Sequence, residues 1–544
     1  MAVSEMRCRF NVEIPMRDGT ILRGDLYIPE LARPCPALLM RTVFRKKWMG
    51  RAFGQYDPGF FTRNGYAVLF QDVRGLGESD GEFDRFTADG RDGYDTIEWM
   101  AAQPWCNGQI GMMGNYYAGY LQLMAARENP PHLRAICPMQ TSVSINRDCD
   151  NRGFLFSSHI GWCISRQVNR LMDGRYSAEV TGKYLPLLQA AIRDYPTVQL
   201  SALPICEMPL LKDAPFPIFQ DYVRHLLEGY DDLSLLEKEG RNLDTSQLQT
   251  PAFYISGWFD SARTPMLEHC VRQRRMGVES QVLIAPWKVG ESPARADSAL
   301  EDGLCTLDLQ QEMLTWFDWH LKGVSANVQP IRYFDIAAPG GYMGSSWPEG
   351  EACRTLFLNG RQALSDEADN AASTLLYLHD PARPLPYQPF GPCAYPQTDA
   401  RRVLCVSEPV DAAQRICGLV RARIYVSATT KDADVMLTLL DVAPDGQCFA
   451  VCDGATRARY RQDWVSRPLE PGQVVCLEVL MGQTVYTLAP GHRWALALYG
   501  SAFPKYDVNH CTAERPAHDG RMLPSEIAVH CGRQTPSCLL LPLG

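Results

Sequence analysis

The residues whose chemistry stands out lie in two short stretches, Gly114-Asn115-Tyr116-Tyr117-Ala118-Gly119 and Gly257-Trp258-Phe259-Asp260. Tyr116 brings a phenol, a weak acid with an ordinary pKa of about 10 that can donate or take a proton. Asp260 brings a carboxylate, which serves as a base or as the partner of a proton donor. The main-chain N–H of Tyr117 opens a predicted helix, where an N–H without a helical acceptor favours negative charge. A phenol, an anion-favouring amide and a carboxylate are the parts of a proton-transfer site. The opposite reading also stands: Tyr116 fills a closed site and Asp260 is held by a backbone hydrogen bond.

The elements that must hold these groups follow from local pattern. Residues 108–115 read as a short buried strand, Gly114 as the pinch of a tight turn, and 117–126 as a helix. Glycine belongs there because a β-carbon beside a strained turn residue would clash. Residues 9–29 alternate around Asp18-Gly19, a hairpin pattern. The runs at 36–40 and 66–71 are mostly apolar, as strands covered on both faces are. Residues 88–102 have a helical period, and strand–helix–strand alternation predicts a parallel sheet. From 148 to 248 strand signals fade, and amphipathic stretches such as 190–193 and 219–236 predict a helical insertion. Strand signals return at 251–257 and 280–286. A helix is predicted over 308–321, with Lys322-Gly323 as its stop. After Trp347-Pro348-Glu349, short apolar runs at 374–378, 420–426 and 474–479 alternate with turn residues, an all-β sandwich pattern. The predicted boundaries are 1–147 and 249–348 for one α/β domain, 148–248 for the insertion and 349–544 for a β-domain.

Composition narrows the partners. The 544 residues are 46% hydrophobic and 21% charged, with a formal net charge of -9. That balance gives no electrostatic reason to expect nucleic acid or an anionic membrane. No apolar run reaches spanning length, and Met1–Cys8 lacks the apolar core of a signal peptide. The 19 cysteines are scattered without CxxC pairs, which fits reduced thiols and a cytoplasmic setting. No metal or organic cofactor motif is present, and Asp432, Asp434 and Asp441 do not make a calcium loop by type or spacing. The expected partner is a small-molecule substrate. Homo-oligomer formation is left open.

Several ordered motifs carry a resemblance. They are Met16-Arg17-Asp18-Gly19-Thr20, Gly65-Tyr66-Ala67-Val68, Gln71-Asp72-Val73-Arg74-Gly75 and Gly77-Glu78-Ser79-Asp80-Gly81-Glu82-Phe83. Further on come Gln103-Pro104-Trp105-Cys106-Asn107-Gly108, Gly257-Trp258-Phe259-Asp260, Ala285-Pro286-Trp287, Pro490-Gly491-His492 and Phe503-Pro504-Lys505-Tyr506-Asp507. Together with the elbow frame, where Gly-x-Ser-x-Gly marks a nucleophile turn, they resemble the CocE/NonD family of α/β-hydrolases, the cocaine esterase and X-prolyl dipeptidyl-peptidase group. The resemblance spans nearly the whole chain. It implies an α/β-hydrolase domain, an inserted helical cap and a C-terminal jelly-roll β-sandwich. It also implies a Ser-His-Asp triad with an oxyanion held by one backbone amide and one tyrosine hydroxyl. Placed on this chain, the serine falls on Tyr116, the acid on Asp260, the histidine on Val289, the oxyanion tyrosine on Phe44 and the amide on Tyr117; the resemblance thus implies that the Tyr116 hydroxyl reaches into the place of the histidine, toward Asp260 or Lys288.

A hydroxyl nucleophile needs a neighbouring base, and losing one oxyanion donor costs roughly 100- to 1,000-fold in turnover. These positions therefore argue against serine hydrolysis. The histidines that might stand in are His269 and His159; either is more readily an ordinary structural residue. The expectation is a non-hydrolytic proton-transfer enzyme working by cyclisation, elimination, isomerisation or C–C bond chemistry. Its substrate is a mostly apolar small molecule, as in natural-product biosynthesis. Phe44, Trp48, Trp162, Trp258, Trp287, Lys288 and Val289, with Phe154 and Phe156, are the expected substrate wall. A non-catalytic binding protein, and a residual esterase or acyl hydrolase with an unplaced base, remain the alternatives. Asp72 and Arg74 read as a structural turn rather than a site.

Overall fold

The computed structural model describes residues 6–31, 33–52, 54–83, 88–141, 154, 157–201, 203–208, 210, 216–222, 248–288, 308–337, 342–343, 347, 352–394, 399–463, 465–515 and 518–544. Its first layer is a ten-stranded sheet in the order β1-β2-β4-β3-β5-β6-β7-β8-β9-β10. The strands are β1 (Met6–Pro15), β2 (Ile21–Pro29), β3 (Cys35–Thr42), β4 (Ala67–Asp72), β5 (Cys106–Asn115), β6 (Leu133–Met139), β7 (Ala252–Phe259), β8 (Ser280–Lys288), β9 (Ile331–Phe334) and β10 (Tyr342–Met343).

The hairpin β1–β2 turns at Gly19, whose φ of 83° is the left-handed conformation an Asp-Gly turn uses. From β4 through β9 neighbouring strands run parallel. Every residue of β3, β4 and β7 is buried, which explains their lack of polar alternation. The helices α1 (Lys46–Ala52), α2 (Pro58–Arg63), α3 (Asp89–Ala101) and α4 (Tyr117–Arg127) connect the first strands. The helix Leu309–Lys322 shares one core cluster with Met49 of α1 and Phe61 of α2, and Trp316 Nε1 donates to the Ile136 carbonyl at 3.1 Å. Asp308 caps that helix by accepting from the Gln310 and Gln311 amides, and Gly323, at φ 71°, ends it.

Between β6 and β7 the chain leaves the sheet for α5 (Ser157–Met172), α6 (Ala178–Ser201) and a short helix Pro217–Tyr222. These pack face to face around Ile160, Ile164, Leu188, Phe216 and Phe219. The helix expected over 219–236 is seen only to Tyr222; the rest lies outside the described residues. Strand β6 and helices α1 and α2 had no separate sequence signal. Leu133–Met139 is short and carries an arginine and a proline, and α1 and α2 are below the length at which periodicity shows.

The C-terminal part is all β. Its twelve strands run from β11 (Cys353–Leu358) to β22 (Cys538–Pro542) in one hydrogen-bonded network. The longest pairing joins Gln414–Ala428 to Val475–Leu488. Arg263, three residues past Asp260, donates from Nε to the Gln483 carbonyl at 3.0 Å and so ties the two parts together beside the second chemical stretch.

Candidate active site at the strand-to-helix elbow

The turn between β5 and α4 is where the sequence placed the chemistry. Tyr116 has φ 54° and ψ -122°, a conformation that costs a non-glycine residue about 1–3 kcal/mol. The surroundings hold it there. Its N–H donates to the Met139 carbonyl at 3.0 Å and its carbonyl accepts from the Tyr120 N–H at 3.0 Å. A β-carbon on Gly114 would lie 2.7 Å from the Ala118 β-carbon, and one on Gly119 would lie 2.7 Å from that of Thr141. The two glycines therefore let α4 sit close against the sheet. Below the turn, buried Gln122 donates from Nε2 to the Gly114 carbonyl at 3.1 Å and accepts the Cys137 N–H at 2.9 Å, locking β5 to β6.

The Tyr116 side chain is half-buried, and its hydroxyl is enclosed. It lies near enough to the fully buried Tyr56 to add to the upward push that burial gives the Tyr56 phenol. Tyr117 begins α4, so its N–H belongs to the first turn, where amides lack helical acceptors. Its ring is fixed on two sides: the hydroxyl donates to Asp89 Oδ2 at 2.6 Å, and the ring stacks on Trp162 with centroids 5.9 Å apart and planes at 19°.

Asp260 is buried at the end of β7, and burial raises its carboxyl pKa against the lowering effect of its hydrogen bonds. Ser256 Oγ donates to Oδ2 at 3.0 Å and the Ala262 N–H donates to Oδ1 at 3.0 Å. The hydrogen bonds of its carboxylate are thus to Ser256 and Ala262, not to Tyr116. The direct pairing of Tyr116 with Asp260 is not formed, because Ser256 on β7 and the Ala262 amide just after it take up the acid locally. Ser256 is in bonding reach of Asp260, yet among the described histidines none bonds to either. His269 lies on the helix Arg263–Arg275 against the edge of Tyr254, with ring centroids 5.5 Å apart. The side chain of His159 lies outside the described residues.

The expected substrate wall divides. Phe44 is half-buried at the end of β3, and Trp162 faces Tyr117. Trp48 is 45% exposed and lies under the Arg45 guanidinium at 4.8 Å. Trp258 and Trp287 lie in the core, 1% and 2% exposed. Trp258 donates to the Phe334 carbonyl at 2.6 Å, and Trp287 packs in the cluster of Met49, Tyr56 and Phe61. The strand signals end at 257 and 286, whereas β7 and β8 run on through both tryptophans. Phe154 is also misplaced. It sits against Tyr506, with centroids 4.9 Å apart, and under Arg457 in the β-domain. Val289, Phe156 and the Lys288 side chain lie outside the described residues.

The structure adds one group that the sequence reading passed over. Arg166, on α5, is 5% exposed. Its guanidinium lies 4.4 Å from the Phe44 ring centroid and 5.9 Å from that of Trp162. Nη1 donates to the Val43 carbonyl at 2.7 Å and Nη2 to Ser165 Oγ at 3.1 Å. Burial, with help from Arg45, lowers its pKa to about 10. The available signal was the Trp162/Arg166 spacing of four, which puts both on one helix face. Asp72 and Arg74, read as a turn pair, are each tied elsewhere. Asp72 binds the Lys46 ammonium at 3.0 Å, and Arg74 binds Asp92 at 2.7 Å.

Comparison with known proteins agrees with this architecture. Residues 18–288 match the X-Pro dipeptidyl-peptidase (S15 family) model, and 337–540 match the X-Pro dipeptidyl-peptidase C-terminal non-catalytic domain. A cocaine esterase from Rhodococcus sp. (strain MB1 Bresler) is 31% identical across 98% of this chain and 98% of its own. An α-amino acid ester hydrolase superposes with TM-score 0.83 at 20% identity, covering 100% of this chain and 97% of that one. A CocE/NonD family hydrolase from Staphylococcus aureus superposes with TM-score 0.73 at 18% identity, covering 99% and 94%. With an elbow, a β-domain and a whole-length relative in agreement, the chain belongs to the CocE/NonD family of hydrolases.

Proposed function

We propose that this member of the family has left serine chemistry and moves a proton in a non-hydrolytic reaction on a mostly apolar small molecule. The observation that carries the reading is Tyr116 itself. The chain keeps a strained backbone at the crest of the turn and places a phenol there. A site kept only as scaffold has no need of that strain, which glycine at 116 would relieve. At neutral pH an enclosed phenol is protonated, so Tyr116 acts as the acid. The Tyr117 N–H favours the negative charge that develops on the substrate oxygen. Asp260 enters as the base: burial has already raised its carboxyl, and each oxygen keeps a lone pair beside its present donor. Cyclisation, elimination, isomerisation and C–C bond chemistry all fit this inventory. The same reading places the reaction in the cytoplasm, without a cofactor, in specialised-metabolite biosynthesis.

The esterase relatives favour a second reading, residual ester hydrolysis. One set of assays separates the two. With the natural substrate drawn from an extract of the producing cells, Tyr116→Phe is expected to lower turnover about 100-fold or more. A generic chromogenic ester should show no turnover above background. Unchanged turnover in Tyr116→Phe removes the proton-transfer role, and rapid ester cleavage by the unmodified protein restores the hydrolase reading.

A further inference from the structure

Arg166 is a buried cation for which the described residues supply no anion. Its hydrogen bonds go to a backbone carbonyl and a hydroxyl, and among the described residues no carboxylate pairs with it. The acids nearby are committed: Asp173 to Arg45 at 2.6 Å, and Glu82 to Arg170 at 2.5 Å. A guanidinium has five N–H donors, so three remain after Val43 and Ser165, and Nε has no described partner. Even lowered to about 10, its pKa leaves it charged at neutral pH. An unpaired charge at this depth is costly unless a ligand completes it. The next residue, Gln167, is fully buried, and neither of its amide atoms has a hydrogen-bond partner among the described residues.

The position matters as much as the charge. The Arg166 guanidinium lies over the Phe44 ring at 4.4 Å and over the Trp162 ring at 5.9 Å, and Trp162 stacks on Tyr117, the residue that follows Tyr116. The cation is therefore one aromatic ring removed from the first residue of the elbow helix. We propose that Arg166 recognises a carboxylate on the ligand of this site, the rest of that ligand being a flat apolar body that lies against Phe44 and Trp162. A carboxylate suits the planar fork of one guanidinium, whereas a phosphate dianion would call for a second cation, and Arg45 and Arg170 are already engaged. This deepens the reading of the elbow as a ligand site and rests on it.

The test uses the full-length protein with benzoate as probe and benzamide as its neutral counterpart, followed by calorimetry. Benzoate should bind saturably and about tenfold or more tightly than benzamide, the range expected for hydrogen bonds to a charged group. Arg166→Met should erase that preference, and Tyr116→Phe should keep it, so failure of the proton-transfer role and failure of carboxylate recognition give different results. On the unmodified protein, the Arg166 Nε resonance should shift with benzoate and stay in place with benzamide, a readout that does not depend on how the variant folds. Equal binding of the two probes, no binding of benzoate, or an Arg166→Met protein that still prefers benzoate would each overturn the proposal.

Discussion

Two arginines sit at similar depth in this molecule and are treated in opposite ways. Arg457, in the β-domain, is fully buried and fully answered. Nε and Nη2 each donate to Asp434 at 2.9 Å, and Nη1 donates to Asp507 at 3.1 Å. Beside it Arg459 donates to Asp432 at 2.6 Å, and Asn509 bridges Asp432 and Asp434 at 3.0 and 2.6 Å. Arg166, near the elbow, has no carboxylate partner among the described residues. A buried cation that the fold itself requires comes with anions from adjacent strands. One that lacks them stands where the charge can be supplied from outside. The β-domain cluster is architecture; the α5 arginine is an open valence.

The comparison breaks most visibly if the paired arginine proves dispensable. Arg457→Met leaves Asp434 and Asp507 buried without their cation, and should cost about 3–5 kcal/mol of stability. Urea unfolding of the β-domain signal would show it as a lowered midpoint. Replacing Arg457 and Asp434 together, by Met and Leu, should cost less than Arg457→Met alone, since fewer buried charges are left unanswered. A single variant as stable as the parent would mean that the network is decoration.

Buried bases have a third fate, which pH exposes. His269 is 1% exposed, and neither ring nitrogen has a described hydrogen-bond partner. Burial and the nearby Arg272 lower its pKa to about 3; burial alone lowers His320 to about 4. The unfolded value is about 6.5, so the folded values are depressed. Stability from these groups is full above about pH 6.5 and is lost as pH falls toward the folded values, because the unfolded chain takes the protons first. The expected slope is at most about 1.4 kcal/mol per pH unit for each site. Urea midpoints at pH 7.5 and 5.5 measure it, and His269→Phe should flatten it by one site. An unchanged slope would show that the imidazole is reached by water and titrates normally.

The fold was legible where the pattern is local and repeated. The β1–β2 hairpin, the buried runs β3 and β4, and the helix Leu309–Lys322 with its Asp308 cap and Gly323 stop all carry their own signals. At the site, the elbow was legible because glycine spacing and a strand-to-helix switch mark it. What could not be read was depth. Trp258 and Trp287 look like any exposed aromatic in a loop until β7 and β8 are seen to run through them. The partners of Asp260 were hidden for a related reason. Ser256 on β7 and the Ala262 amide satisfy it from the same stretch of chain, whereas one of the two sequence readings looked for a partner across the sheet. Arg166 was missed because its meaning depends on which acids are absent around it, a three-dimensional fact.

The smallest expected effect is the sharpest test of the contrast. Arg166→Met removes a hydrogen bond to the Val43 carbonyl, another to Ser165 and a stacked contact with Phe44. It also removes the cost of keeping an unanswered charge out of water, and the methionine refills most of the space. No buried carboxylate is orphaned, so the net change should stay within about 1 kcal/mol of zero, in either direction. Thermal unfolding of Arg166→Met beside Arg457→Met reads the difference directly. If the two variants lose stability alike, Arg166 is held for the fold, and the reason for assigning it a ligand disappears. If only Arg457→Met falls, a cation has been kept in the elbow at no benefit to folding, and its use must lie in what the elbow binds.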